Sequence, residues 1–141
     1  MTDAEALQCL KEAKKHPTKA EAVLKRAIVL REAVYRIFSA IAGNRPSSAS
    51  DIAALNTELS RAMTRLQITP AAGGYSWTYA TEENALDRVL WPVARSAADL
   101  LTSDKLNRID RCPGKNCGWL FLDMSRNRSR RWCDMKDCGN R

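Results

Sequence analysis

The sequence predicts a mainly α-helical protein with one β-hairpin, followed by a small cysteine-rich module. Apolar residues recur at helical spacing over most of residues 3–101, a Gly73-Gly74 pair lies between β-favouring residues, and four cysteines are grouped near the C-terminus. A chain of 141 residues has room for one ordinary domain and a small module that needs a metal ion or a cross-link to stay folded. We therefore expect a helical domain over residues 1–104 and the module over residues 105–141.

The first two helices are predicted from strong helix formers and from apolar spacing. Helix one should cover about residues 3–15, and helix two about residues 18–42. Thr18 and Glu21 have the spacing of a capping box, in which each side chain satisfies a free backbone N–H of the other residue. Gly43 is expected to end the second helix.

A third helix and a hairpin should follow. Ser48 or Ser50 can cap the helix. Its apolar positions fall on one stripe, comprising Ile52, Leu55, Leu59, Ala62 and Leu66. Helices two and three can therefore pack as an antiparallel pair. Gly73 and Gly74 predict the turn of the hairpin, although Pro70 weakens the first strand.

A fourth helix is predicted over about residues 82–101. Thr81 is a suitable N-cap, and Glu82 and Glu83 would meet the positive end of the helix dipole. Pro92 would then lie in the middle of the helix and should kink it.

The charge balance and hydropathy limit the classes of function. The net charge is +7, and residues 108–141 hold nine Lys/Arg against four Asp. No stretch approaches the roughly 20 apolar residues that a membrane span requires, and the N-terminus has no signal-peptide pattern. We therefore expect a cytoplasmic protein without a membrane partner.

The four grouped cysteines are the strongest signal in the chain. Cys112 and Cys117 form one pair with four residues between them, and Cys133 and Cys138 form a second pair with the same spacing. Two close pairs separated by a loop are what a tetrahedral four-thiolate Zn²⁺ site needs. The alternatives are buried thiols or disulfides. Bound zinc would stabilise a module whose hydrophobic core is too small to keep it folded.

Within the module, the stretch around Trp119 and Phe121 and the pair Arg131-Trp132 flank a polar run, which predicts a two-stranded hairpin with treble-clef-like or ribbon-like form. A tryptophan beside a zinc ligand typically packs in the miniature core. The alternative is that Trp119 or Trp132 stacks on an exposed base.

The polar run is rich in arginine, which suits phosphate binding. The candidate nucleic-acid contacts are Arg126, Arg128, Arg130, Arg131, Asn140 and Arg141. The last two could begin a helix whose N–H groups bind phosphate. The alternative is that the arginines only solvate the loop or pair with Asp123, Asp134 and Asp137.

The segment from Cys112 to Arg141 resembles the bacterial CGNR zinc-finger family, named for the tetrapeptide Cys138-Gly139-Asn140-Arg141. In that family a largely helical ABATE domain, described for candidate stress-induced transcription regulators, precedes the finger. Residues 18–107 are similar to the later part of that domain. Family members usually have a further N-terminal segment and continue past the tetrapeptide with a basic helix, so the resemblance implies a chain trimmed at both ends.

These observations favour a transcription regulator that binds double-stranded DNA through the finger, while the helical domain senses a small-molecule effector or forms a homodimer. A redox- or metal-sensing zinc module, in which oxidation of the thiolates ejects zinc, is the main alternative. A protein- or RNA-interaction module is another. An enzyme is the weakest hypothesis, because four sulfurs close the zinc shell and leave no position for substrate.

Overall fold

The computed structural model describes residues 3–80 and 85–140, and its architecture is mainly helical. In this part of the chain there are four α-helices: α1 (Asp3–Lys15), α2 (Pro17–Ala42), α3 (Ala49–Met63) and α4 (Trp91–Leu101). Two antiparallel hairpins are built from β1 (Leu66–Ala71), β2 (Gly74–Tyr79), β3 (Ile109–Arg111) and β4 (Leu120–Leu122). Short 3₁₀ helices cover Leu86–Val89 and Leu106–Arg108. The predicted fold class is confirmed.

Helices α2 and α3 form the predicted antiparallel pair. Arg36 Nη2 lies 2.7 Å from Asp51 Oδ1 near the connecting loop, and Arg26 Nη2 lies 2.6 Å from Glu58 Oε2 farther from it. Residue 36 thus pairs with residue 51, and the earlier residue 26 pairs with the later residue 58, so the two helices run in opposite directions. Their apolar faces meet α4 in one core, whose buried members are Leu30, Ile37, Phe38, Leu55, Leu90, Ala94, Ala97 and Ile109.

The start of α2 differs from the prediction. His16 is the N-cap and Pro17 is the first helical residue, so Thr18 lies inside the helix and the predicted capping box does not form. Proline suits this position because its fixed φ fits the helix and its missing N–H would have had no partner. Glu21 instead pairs with Lys25, at 2.8 Å.

The predicted fourth helix is shorter than expected. Its expected start at Thr81–Glu83 lies outside the described residues. Ala85 is extended, a 3₁₀ turn follows, and α4 begins only at Trp91. Pro92 therefore lies in the first turn, where no backbone N–H is needed, and the predicted mid-helix kink is wrong. Within residues 3–80 and 85–140, no helix is long and apolar enough to cross a lipid bilayer.

The first hairpin follows its glycine signal. Ala71 pairs with Gly74, which leaves Ala72 and Gly73 as the two turn residues, and Gly73 has a φ of 83°. A left-handed φ at the second turn position favours glycine because it has no Cβ. Pro70 is accommodated in the two-stranded sheet opposite Tyr75.

The second hairpin corrects the prediction for the cysteine-rich module. Strand β4 pairs with β3, so that Asp110 lies opposite Phe121, and residues 130–133 form no strand. The hairpin therefore encloses the first cysteine pair and does not enclose the arginine-rich run. Ile109 of β3 is buried at 7% exposure in the helical core, and this contact joins the module to α2.

Candidate functional site

The first cysteine pair lies in the turn between β3 and β4. Cys112 directly follows β3, and its N–H donates to the Trp119 carbonyl oxygen at 2.9 Å. The Cys117 N–H donates to the Gly114 carbonyl oxygen, also at 2.9 Å, which closes a tight turn. Asn116 supplies the left-handed residue of this turn, with a φ of 62°. The turn has the form of a knuckle that directs both sulfurs to one side.

The second pair lies in a compact turn after the arginine-rich run. The N–H groups of Cys138 and Gly139 both donate to the Asp134 carbonyl oxygen at 3.1 Å. The Asp134 carboxylate accepts the Lys136 N–H at 2.7 Å, so its side chain also holds the turn. This geometry brings Cys138 back toward Cys133.

The four sulfur atoms converge on one point. All four lie within 4.8 Å of one another, and the Cys133 sulfur lies 3.7 Å from those of both Cys117 and Cys138. Zinc bound by four thiolates at about 2.3 Å in a tetrahedron separates neighbouring sulfurs by about 3.8 Å. The observed spacing therefore fits a Zn²⁺ ion.

The electrostatics of the cluster also suit a dication. Backbone N–H groups, first that of Cys133 and then that of Gly114, lower the pKa of the Cys112 thiol to about 6. Hydrogen bonds within the cluster, first that with Cys133, raise the pKa of Cys138 to about 12. Burial raises the pKa of Cys133. Four adjacent sulfurs cannot all ionise without a cation between them, and a Zn²⁺ ion at this point would supply that charge.

Two glycines lie where an added Cβ would come close to neighbouring atoms of the two turns. A Cβ on Gly114 would lie 3.1 Å from the Cys138 sulfur, and a Cβ on Gly139 would lie 2.9 Å from the Met135 carbonyl oxygen. Neither has a left-handed φ, so space, more than backbone conformation, dictates these glycines.

The arginine-rich run is a loop that closes on a buried carboxylate. Asp123 is 1% exposed, and it accepts the Ser125 N–H at 2.8 Å and the Arg130 N–H at 3.1 Å. The hydrogen bonds from Ser125, above all, lower the pKa of Asp123. Arg108 donates to the carbonyl oxygens of Asp123 and Ser125 at 3.2 Å. Sequence reasoning missed this role, and treated Asp123 only as an ion-pair partner for the loop.

Comparison with protein families assigns both parts of the chain. Residues 2–104 match ABATE, described as "Putative stress-induced transcription regulator", and residues 108–141 match the CGNR zinc finger. The chain belongs to the ABATE family. The resemblance noted from the sequence is thus confirmed, and Zn²⁺ is the cofactor of its CGNR finger. Both descriptions are of regulatory or zinc-binding modules and not of enzymes. The search of curated proteins gives no match.

The loop arginines of the CGNR finger divide into two groups. Arg126, Arg128 and Arg131 are exposed, and their side chains make no hydrogen bond or ion pair with any described residue. Arg130 is engaged: its guanidinium lies 4.8 Å from the centre of the Phe121 ring and donates to the carbonyl oxygens of Trp132 and Cys133.

The remaining candidates lie at the finger surface. Asn140 is exposed in the last described turn, and Arg141 lies outside the described residues. Trp119 is 72% exposed beside the knuckle, so the expectation that it packs in the miniature core is wrong for this residue. Trp132 is half-buried. Cys9 lies in α1, where it is half-buried and outside the sulfur cluster.

Proposed function

We propose that the chain is a transcription regulator that binds double-stranded DNA through its four-cysteine finger. In this proposal residues 1–104 sense a small-molecule effector or form a homodimer, and residues 105–141 contact DNA. The protein acts in the bacterial cytoplasm, where its target lies. The observation that carries the proposal is the group of exposed arginines at residues 126, 128 and 131, which no aspartate of the finger neutralises.

The zinc site is the first part of this proposal. Cys112, Cys117, Cys133 and Cys138 coordinate Zn²⁺, and the metal holds the two turns together. The near-tetrahedral sulfur spacing supports this assignment. Zinc bound by four sulfurs has no free coordination position, so its role is structural.

The test of the zinc assignment is metal content by mass spectrometry on protein purified without added metal. We expect one equivalent of zinc in the wild type and a loss, or a much weaker affinity, in Cys117→Ser. Cys9→Ser is the matched control and should keep its zinc. A wild type that contains no metal and in which all five cysteine thiols titrate would remove the basis of the proposal.

The DNA surface is the second part. Two neighbouring acidic groups that could have neutralised the loop are used elsewhere: Asp123 and Asp134 both accept backbone N–H groups. The exposed guanidiniums therefore stay available for phosphate oxygens, which they suit geometrically. Arg130 is also exposed, but its guanidinium contacts the Phe121 ring and the Cys133 carbonyl oxygen, and we assign it a positioning role.

The test is the salt dependence of binding to a mixed-sequence DNA duplex. The logarithm of the association constant should fall linearly with the logarithm of the salt concentration. Removal of each phosphate-contacting arginine should make this negative slope shallower by about 0.9. Arg128→Gly is the sharpest variant, because Arg128 has a φ of 50° and glycine removes the charge without straining the backbone. Arg45→Ala, at an exposed arginine of the helical domain, is the control for net charge. Binding that does not depend on salt, or an unchanged slope in Arg128→Gly, would contradict the proposal.

A second candidate function is single-stranded nucleic-acid binding, which the exposed Trp119 favours. Base stacking on an aromatic side chain contributes about 1–3 kcal/mol per base. Trp119→Ala separates the two functions: it should weaken single-strand binding strongly if bases stack there, and should leave duplex binding nearly unchanged if phosphate contacts dominate.

A further inference from the structure

An open groove of about 580 Å³ lies where the helical domain meets the finger. One wall is formed by α2, a second by residues around α4, and the third by β3 and β4 of the finger. The lining of the groove is almost wholly apolar, with Leu30 and Val34 from α2 and Leu120 and Leu122 from the finger. Clefts of roughly 300–1,000 Å³ with such linings are typical of small-molecule sites.

We propose that this groove binds a small amphipathic anion, with its apolar body between α2 and the finger strands and its carboxylate beside Arg31. The inference deepens the proposed function, since it gives the effector a site and a chemical class. An aliphatic or aromatic carboxylic acid has the required chemistry.

The one charged residue that lines the groove in the described part of the chain, Arg31, favours an anion at the rim. Among the other described residues that line the groove, Tyr35 is the only one with a polar side-chain group. The Arg31 side chain is 70% exposed, and among the described residues it pairs only with its neighbour Glu32, through Nε and Nη2. An exposed ion pair of this kind stabilises the protein by about 0–1 kcal/mol, so a ligand carboxylate can compete for the guanidinium.

The apolar wall selects the rest of the ligand. Val93 at the mouth is 49% exposed, although Trp91 and Ala94 of the same helix are buried. Covering an apolar surface of this extent is favourable by about 25 cal/mol per Å². A ligand whose hydrocarbon part covers Val93 and the apolar lining would bury this surface. Its carboxylate would stay in water at the rim, beside the Arg31 guanidinium.

The groove also has a direct connection to the zinc site. The Tyr35 hydroxyl donates to the Gly118 carbonyl oxygen at 3.0 Å, immediately after the first cysteine pair. Phe121 lines the groove on the finger side, and its ring contacts the Arg130 guanidinium. That guanidinium donates to the Cys133 carbonyl oxygen. A ligand that contacts Tyr35 and Phe121 therefore stabilises the docked position of the finger. Ligand and DNA affinities are then coupled, and each changes the other by the same factor.

Calorimetric titration of the full zinc-loaded chain with dodecanoate, below its micelle concentration, tests the site. We expect saturable binding with one equivalent, and binding of dodecyltrimethylammonium at least about tenfold weaker, because the loss of a charge-assisted contact has about this effect. No saturable binding of dodecanoate, or equal binding of the two probes, would overturn the proposal.

Variants locate the ligand. Val93→Trp should fill the mouth and abolish binding, whereas Val29→Trp, on an exposed part of α2 that does not line the groove, should leave it unchanged. Arg31→Gln should weaken dodecanoate binding about tenfold and have little effect on the cationic probe, and Arg45→Gln is its control. Dodecanoate binding that Val93→Trp and Arg31→Gln leave intact would show adventitious binding elsewhere and sink the proposal.

The measurement does not involve DNA, so it can fail or succeed independently of the proposed function. Sedimentation in the same buffer tests the competing occupant, a second copy of the chain. A dimer that Val93→Trp disperses, together with no dodecanoate binding, would assign the groove to that second copy. If dodecanoate binds as expected, its addition should change duplex affinity in the wild type and not in Val93→Trp.

Discussion

Substitution of alanine for Gly139, the glycine of the CGNR tetrapeptide, adds one methyl group at a crowded place. The new Cβ would lie 2.9 Å from the carbonyl oxygen of Met135 and 2.9 Å from its sulfur. The exposed Met135 side chain can rotate away, but the carbonyl oxygen belongs to the backbone of the same turn. The turn must therefore widen by about half an ångström to restore ordinary van der Waals contact.

This widening affects the metal site because of where the turn is held. Gly139 and Cys138 donate their N–H groups to the same Asp134 carbonyl oxygen, so a displaced Gly139 also displaces Cys138. Overpacking of this kind costs about 1–3 kcal/mol. If the metal-bound turn bears that strain, zinc affinity should fall by a factor between about 5 and about 150.

Competition with a chromophoric chelator measures the zinc affinity of Gly139→Ala directly. Gly43→Ala is a matched control, because its added Cβ would lie 3.2 Å from the flexible end of the Arg45 side chain, which can move at little cost. We expect the control to bind zinc like the wild type. An unchanged affinity in Gly139→Ala would refute the steric argument for this glycine.

Three further predictions concern charged groups. Glu58→Gln should lower the free energy of unfolding by about 2–3 kcal/mol, measured by urea denaturation, because Glu58 is buried and holds Arg26, which itself stays 27% exposed. The Arg36 guanidinium lowers the pKa of Asp51, so this pair stabilises the fold above about pH 4 and the contribution is lost as the pH falls through the lowered pKa; Asp51→Asn should therefore destabilise at neutral pH, and a difference that persists in strong acid would contradict this assignment. Asp123→Asn replaces one acceptor oxygen by an NH₂ donor, so the arginine-rich loop should open and be cleaved faster by trypsin, with equal cleavage rates counting against the closure.

The sequence predicted the features that depend on local periodicity and spacing. Stripes of apolar residues identify α1, α2 and α3, and the paired spacing of the cysteines identifies the sulfur cluster. These signals are carried by many residues or by an unusual residue type, so tertiary contacts do not override them.

The features that the sequence did not reveal depend on tertiary contacts. Strand β3 has three residues, too few for a period-two pattern, and it forms because Ile109 packs in the core beside α2. Pro92 fits both a kinked helix and a helix start, and only the packing of Trp91 and Ala94 decides between them. Arg130 differs from the other loop arginines because its guanidinium lies over the ring of Phe121, nine residues earlier in the chain, and no local sequence pattern indicates that contact.

The burial of Ile109 in the helical core has a consequence for the lifetime of the protein in the cell. The strand that carries Ile109 leads directly into Cys112, so loss of zinc would loosen a residue on which α2 depends. Chains without metal would then open more often and be degraded sooner, because proteases act on the opened population. The amount of folded protein in the cell would then follow the zinc supply.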